Sequence, residues 1–361
     1  MPLRYWNSGA RYLVPTPLFA PTTPHELTGA LHAAGALRHG DVAGVQVSEL
    51  IPTTVSSLRF LEVRYGAGAA PSLPERLMLK WPLEQSADAE RVGSESVFYR
   101  EIAPTLPSPP IARCLATAPP ESEQQWLLLE DLRSSHLCPP WPERPSDQEV
   151  RGAVAVLAQL HCRWWDASGT GITLGVPHTE ASLRGMVHDI ESHLPAFLED
   201  LGEDLPPADA MALETVFNSS LEPWFRLVEP RDLTVIHGDA HTWNFLFPRF
   251  GEGRPYLIDW QTWHRDVGAR DLAYLMALHW DADTRRSLEL PLLRLYHQEL
   301  IRGGITTYSF TDLLLEYRRC VVRNLTFPII FWSRGFPRKA WRYRLDCALA
   351  AYRDLDASEL L

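Results

Sequence analysis

The chain has 361 residues, 45% hydrophobic and 22% charged, with a formal net charge of −11. That length exceeds one ordinary core, so two domains or lobes of a globular protein are expected, and the acidic balance argues against nucleic acid as a partner, because phosphate backbones call for basic surface. Five scattered cysteines with no C-x-x-C pair point to reduced thiols in a cytoplasm, and with no signal-like start and no run of 18 apolar residues neither a secretory leader nor a membrane span is expected.

In chain order, residues 24–40 (PHELTGALHAAGALRHG) read as a helix: Pro24 sits near its start, Leu27, Leu31 and Ala34 share a face, and Gly40 can end it. VQVSEL (45–50) and LRFLEVRYG (58–66) alternate as strands around the turn IPTTVSS, and RLMLKWP (76–82) is a third short strand. Residues 89–103 read as a helix ending before Pro104, and WLLLEDL (126–132) as a further strand. Prolines clustered at 15–24, 104–120 and 139–145 mark connections. From Asp147, which reads as a helix cap, the pattern becomes helical; the last hundred residues are almost wholly so. The expectation is an α+β, two-lobed chain: residues 1–132 a small antiparallel β-rich lobe, residues 133–361 a large, mainly helical lobe.

VIHGDAHTWNFL (235–246) carries the densest chemistry. Asp239 and Asn244 are five residues apart, the Asp-to-Asn spacing of the protein-kinase catalytic loop. A carboxylate there accepts or orients the proton of an attacking hydroxyl; a hard, neutral amide oxygen coordinates Mg²⁺ without excess charge. Fifteen residues on, the apolar strand of YLIDWQ delivers Asp259, a candidate second Mg²⁺ ligand. Lys80 is a lone cation on an apolar strand, which by itself reads as a surface residue. Glu95 on the next helix is a candidate partner, with Glu90 and Glu101 on or near the same helix, and such a pair holds an ammonium on nucleotide phosphates. Asp271, in GARDLAY, reads as a helix cap that braces the loop.

HGDAHTWN, then LIDWQ, then GARDLAYL resembles the aminoglycoside phosphotransferase and choline kinase family, with a protein-kinase-like fold; the Asp-Trp-Gln version, and the Phe-Tyr after the helix Glu, look most like its ecdysteroid-kinase-like branch. The resemblance runs from the Leu27 helix to the Trp341 helix. It implies an enzyme that moves the γ-phosphate of ATP, or GTP, to a hydroxyl of a small molecule with Mg²⁺. Asp239 would be catalytic, Asn244 and Asp259 metal ligands, Lys80 the phosphate contact and Glu95 its holder. Glu130 and Leu132 would meet the adenine through their main chain. The phosphate-covering turn departs from the pattern in having no Gly; the hydroxyls and N–H groups of Thr54, Ser56 and Ser57 are its candidate contacts. The resemblance further implies a small-molecule acceptor; a cytoplasmic monomer or homodimer is expected.

Three other readings compete. A metal hydrolase using His237, Asp239 and His241 leaves Asn244, Asp259 and Lys80 unexplained. A silent nucleotide-binding pseudokinase is disfavoured by the complete set of candidate residues. A protein kinase is disfavoured by helical stretches at 172–230 and 284–361 and by the absence of an A-P-E-type segment. His237 is read as bonding the loop backbone, and a phosphate contact is left open for His241. Trp164 and Trp165 read as core. Trp243, Trp260 and Trp263 flank the candidate catalytic residues, and Trp332 and Trp341 are candidates to stack on the acceptor or hold a cationic amine.

Overall fold

The computed structural model describes residues 20–53, 56–83, 86–106, 108–140, 143–166, 179–218, 231–251 and 253–361. They form two compact units: residues 1–149 with 242–263, and residues 150–241 with 264–361.

The first unit opens with α1 (Pro24–Ala33), where Thr23 and Glu26 form a reciprocal capping box and Pro24 occupies the first turn. The helix stops at Ala33, short of Gly40, and buries Leu27 and Leu31. Strands β1 (Val42–Pro52), β2 (Ser56–Tyr65), β3 (Arg76–Pro82), β4 (Cys114–Thr117) and β5 (Leu127–Glu130) form one antiparallel sheet in the order β1-β2-β3-β5-β4, with α2 (Ser86–Val97) inserted after β3. Leu27 and Leu31 pack with Leu61, Val63, Leu77, Leu79, Leu115 and Leu128 into a core on one side of this sheet. β4 lies inside the proline-rich stretch that reads as a connection. Its flanking prolines bound a four-residue strand whose Leu115 and Ala116 are buried. Beyond α2 the backbone widens into a π-turn at Phe98–Ile102 and tightens into a 3₁₀ turn at Ala103–Thr105. The helical path therefore continues past the residue before Pro104, because proline is tolerated in a first turn. A short strand, β6 (His136–Leu137), follows.

The second unit begins along α3 (Asp147–Trp164), which buries Val154, Leu157, Leu160, His161 and Trp164. Its cap is Ser146 rather than Asp147: the Ser146 hydroxyl accepts the Glu149 N–H, and the Glu149 carboxylate accepts the Ser146 N–H. α4 (Glu180–Leu201), α5 (Pro207–Asn218) and β7 (Leu233–Ile236) follow.

After His241 the chain returns to the first unit, where β8 (Phe245–Pro248) pairs with β9 (Tyr256–Leu257) and with β6. At His264 it re-enters the second unit. There β10 (His264–Val267) pairs antiparallel with β7, with His264 opposite Ile236. α6 (Ala269–Ala277) is buried on every side. α7 (Ala282–Arg302), α8 (Phe310–Asn324), α9 (Thr326–Ser333) and α10 (Arg338–Asp354) complete the chain. A buried ion pair, Arg323 to Asp266 at 2.6 Å, ties α8 to β10, and Arg323 holds the Asp266 carboxyl far below the carboxylate range against the effect of burial.

Candidate active site

In the first unit three charged side chains converge. β3 turns Lys80 inward, and its ammonium lies 2.5 Å from Glu95 on α2 and 2.6 Å from Asp259. Lys80 and Glu95 are almost fully buried, so the surface reading of Lys80 does not hold. Burial works against the Lys80 cation, but Asp259 and then Glu95 outweigh it and raise its pKa above the ordinary lysine value. Burial pushes the Glu95 carboxyl up, against the pull of Lys80. Its other oxygen accepts the Trp260 N–H at 3.2 Å. The Trp260 ring stacks on Phe98 at 3.9 Å, and the Trp263 indole N–H donates to the Ser94 carbonyl. Glu95 and its neighbours on the α2 path thereby fix the backbone on which Asp259 stands. Trp260 is core, not an acceptor contact.

Asp259 adopts a left-handed conformation, φ 70° and ψ 60°, which costs a non-glycine residue roughly 1–2 kcal/mol. Its side chain is 37% exposed. The β8–β9 hairpin places Asn244 beside it: Asn244 precedes β8, Asp259 follows β9, and the Asn244 carbonyl accepts the Ile258 N–H at 2.9 Å. One amide and one carboxylate at the same end of a hairpin form a hard oxygen set that suits Mg²⁺. Among the described residues no three His, Cys, Asp or Glu side chains gather as a cage for a metal.

At the end of β5 the Glu130 N–H donates to the Arg113 carbonyl and the Asp131 N–H to the Arg76 carbonyl. The Asp131 carboxylate then caps the next turn through the Arg133 N–H. The Leu132 carbonyl accepts the Ser135 N–H, and among the described residues its own N–H has no partner. Across the β1–β2 turn, Thr54 lies outside the described residues. Ser56 gives its N–H to the Thr53 hydroxyl, and its own hydroxyl lies 3.0 Å from that of Thr53. The Ser57 hydroxyl is buried and, among the described residues, has no hydrogen-bond partner.

In the second unit β7 delivers the loop that carries Asp239. Gly238 has φ 79°, a conformation that favours glycine, and its N–H donates to one oxygen of Asp271 at 2.9 Å. The His237 N–H donates to the other at 2.8 Å. His237 is fully buried, and its Nδ1 accepts the Asp239 N–H at 3.2 Å, the backbone role read from the sequence. The Asp271 side chain therefore clamps the loop. It does not cap α6, whose cap position is Gly268. His161 completes the clamp, with Nε2 3.2 Å from Asp271 and Nδ1 2.8 Å from the Tyr296 hydroxyl. Burial works against the Asp271 charge, but the bonds and charge of His161 and His237 hold its carboxyl below the usual range. The sequence carries no sign of the His161 contact, since 110 residues separate the partners. Asp271→Asn would set an amide N–H₂ against one backbone N–H. It is expected to destabilise the protein by about 1–3 kcal/mol and to lower turnover more than tenfold, checked by thermal melting and by ATP-dependent product formation.

Asp239 itself accepts a hydrogen bond from the buried Tyr274 hydroxyl of α6, and burial together with that carboxylate raises the Tyr274 pKa well above its ordinary value. His241 Nε2 lies 3.7 Å from Asp239. Trp341 is buried against Phe197, and Trp332 meets the same ring while its indole N–H donates to Asp200, so both are committed to packing α4 against α9 and α10.

The model of the phosphotransferase enzyme family (APH) matches residues 70–310. A search of the curated proteins finds no match to the chain. Solved structures with a similar fold include a Ralstonia eutropha protein described as a candidate aminoglycoside phosphotransferase, at 16% identity over 91% of this chain and 98% of that one, with a TM-score of 0.56. A choline kinase from Cryptosporidium parvum matches at 10% identity over 88% and 91%, TM-score 0.56. The GDP complex of aminoglycoside 2'-phosphotransferase-IIIa matches at 11% identity over 92% and 99%, TM-score 0.53. At such identities the likeness speaks for the α+β, protein-kinase-like fold. The family match runs from before Lys80 to beyond Asp271, across more than half of the chain, and the chain therefore belongs to the phosphotransferase enzyme family.

Proposed function

We propose that this family member transfers the γ-phosphate of ATP to a hydroxyl of a small organic molecule. The observation that carries the reading is the buried Lys80 ammonium held between Glu95 and Asp259 in one unit. Lys80 contacts the nucleotide phosphates, and Glu95 keeps it aimed. Asn244 and Asp259 are the residues that would hold Mg²⁺, which when bound neutralises charge on the phosphates. Asp239 receives or orients the acceptor proton, and Tyr274 restrains its carboxylate. The acceptor oxygen bonds to the γ-phosphorus, the terminal phosphoanhydride P–O bond breaks, ADP leaves, and the hydroxyl proton passes by way of Asp239 to solvent. GTP stands beside ATP as a donor, since the aminoglycoside 2'-phosphotransferase-IIIa relative holds GDP. Membership of the ecdysteroid-kinase-like branch, a cytoplasmic site of action and a monomeric or homodimeric state belong to the same proposal. Among the described residues no helix is long and apolar enough to cross a membrane.

Leu132 supplies the adenine contact through its unpartnered N–H, with the Glu130 main chain beside it. Leu132→Pro removes that donor at the first position of a 3₁₀ turn, where proline fits, together with the buried leucine side chain, so thermal melting is read alongside. It is expected to weaken ATP binding about tenfold, the equivalent of ~1.4 kcal/mol for one hydrogen bond, read by isothermal titration; unchanged affinity sinks the hinge assignment. A catalytically silent nucleotide-binding protein is the alternative. ATP turnover that is present in the wild type and lost in Asp239→Asn decides against it.

A further inference from the structure

The β1–β2 hairpin, whose turn is the candidate phosphate cover, has little core of its own. β1 is the outer strand of its sheet, and beyond Val42 none of its residues is buried. The turn also lacks the glycines that let a backbone close down on a phosphate, so its grip depends on where the hairpin is held.

Arg133, one residue past Leu132, reaches the hairpin from the hinge turn. Its N–H and its Nε donate to one oxygen of Asp131 at 3.0 and 2.9 Å, and Nη2 donates to the other at 2.9 Å. This two-pronged bond fixes the guanidinium to the turn that presents the Leu132 N–H. The Arg133 carbonyl accepts from Arg249 Nε at 2.8 Å, which ties the turn to the residue after β8. The remaining nitrogen, Nη1, donates to Glu49 on β1 at 2.6 Å, and the guanidinium lies over the Phe60 ring of β2 at 3.3 Å. Burial works against the Arg133 cation, but Asp131 and then Glu49 outweigh it and raise its pKa.

The strand ladder explains why Glu49 and Phe60 meet this guanidinium together. Glu49 stands opposite Phe60, after a register shift between Val47 and Glu49, and the Ser48 hydroxyl donates to the Phe60 carbonyl at 3.2 Å. Such a bulge re-aims the side chains beside it. Phe60 lies two residues along β2 from Leu58, which is opposite Lys80, so Phe60 stands on the Lys80 face of the sheet. Asp131 is buried, whereas Arg133 and Glu49 are half-exposed. The bond to Asp131 is therefore the fixed half of this cluster, and the bond to Glu49 is the half open to solvent.

We propose that Arg133 is a positioning residue for the nucleotide: through Glu49 and Phe60 it holds the β1–β2 hairpin, and with it the phosphate-covering turn, in register with the Leu132 N–H. Arg133 acts through the hairpin and not on the reacting atoms. The assignment rests on the ATP-binding reading above. A half-exposed ion pair is screened by salt, so the hold weakens as ionic strength rises.

The test is isothermal titration of ATP with Mg²⁺ into the wild type, Glu49→Gln, Glu49→Arg, Arg133→Met and the double variant Arg133→Met/Glu49→Arg. Glu49→Gln leaves the Arg133–Asp131 pair in place and should weaken ATP about threefold; Glu49→Arg, which sets like charges together, should weaken it about fivefold, the upper range of an exposed ion pair. With Arg133→Met already present, Glu49→Arg should cost nothing further, a result that general damage to β1 would not give. In about 1 M KCl, where charges are screened beyond ~3 Å, the wild type and Glu49→Gln should converge. Thermal melting confirms that each variant folds; if Arg133→Met does not, the two Glu49 variants and the salt comparison still decide. ATP affinity unmoved in both Glu49 variants, additive losses in the double variant, or a gap between the wild type and Glu49→Gln that persists in high salt overturns the proposal and leaves the kinase reading intact. A wild type that binds no ATP overturns the kinase reading, and this inference with it.

Discussion

Asp239→Asn is expected to lower phosphotransfer about a thousandfold, within the range that a general acid–base group contributes, while nucleotide affinity stays within about twofold. Asn keeps the size of the side chain and can still accept the Tyr274 hydroxyl bond, but it cannot take a proton or carry the charge that orients the acceptor hydroxyl. The loop itself should persist, because its clamp runs through Asp271 to the His237 and Gly238 N–H groups rather than through the Asp239 carboxylate. Rapid-quench measurement of product, paired with nucleotide titration, separates the two effects. Loss of nucleotide affinity in step with turnover would show that Asp239 acts in binding rather than in the transfer step.

Lys80→Met is the second large effect, and it falls on stability as well as activity. The ammonium neutralises the buried Glu95 and the half-open Asp259, and removing it leaves two carboxylates facing each other. Breaking one partner of a buried ion pair costs about 3–5 kcal/mol. At roughly 2–4 °C per kcal/mol for a unit of this size, the melting temperature should fall by about 10 °C near neutral pH. Glu95 gives the loss a pH signature. Its carboxyl is already raised by burial, and without Lys80 it rises further. A raised carboxyl binds protons more readily in the folded than in the unfolded chain, so the variant gains stability relative to the wild type as pH falls. The gap in melting temperature should therefore narrow between pH 7 and pH 5. A gap that widens on acidification would mean that Glu95 stays ionised without Lys80. Phosphotransfer should fall with the loss of the phosphate contact at any pH.

What the sequence made legible follows from which residues are fixed by chemistry and which by packing. Lys80 alone read as a surface residue; Glu95 on the next helix was legible as its candidate partner, whereas the contact of Lys80 with Asp259, 179 residues away, came only from the fold. β3 reads at its observed limits because Leu77 and Leu79 bury one face of it and Pro82 stops it. β4 was lost among prolines because a four-residue strand carries too little alternation to stand out. The clamp of His161 on Asp271 joins residues far apart in the chain, where periodicity carries no information. Trp332 and Trp341 show the opposite failure: a large aromatic near a candidate site reads as a ligand contact, yet Trp341 is buried against Phe197, and the half-buried Trp332 packs on the same ring and donates to Asp200. Tyr274 could have been sought in the sequence, since it follows Asp271 by three residues on one helix and so shares its face.

The central claim is that this chain moves a phosphoryl group to a hydroxyl, and mass-resolved product detection tests it most directly. Wild type and Asp239→Asn are incubated with ATP, Mg²⁺ and a library of hydroxylated small molecules, and each compound is scored for its phosphate ester and for ADP. The account predicts at least one ester formed by the wild type in step with ADP and lost in Asp239→Asn. A wild type that binds ATP yet forms no ester from any compound, or an ester formed equally by both proteins, would contradict it.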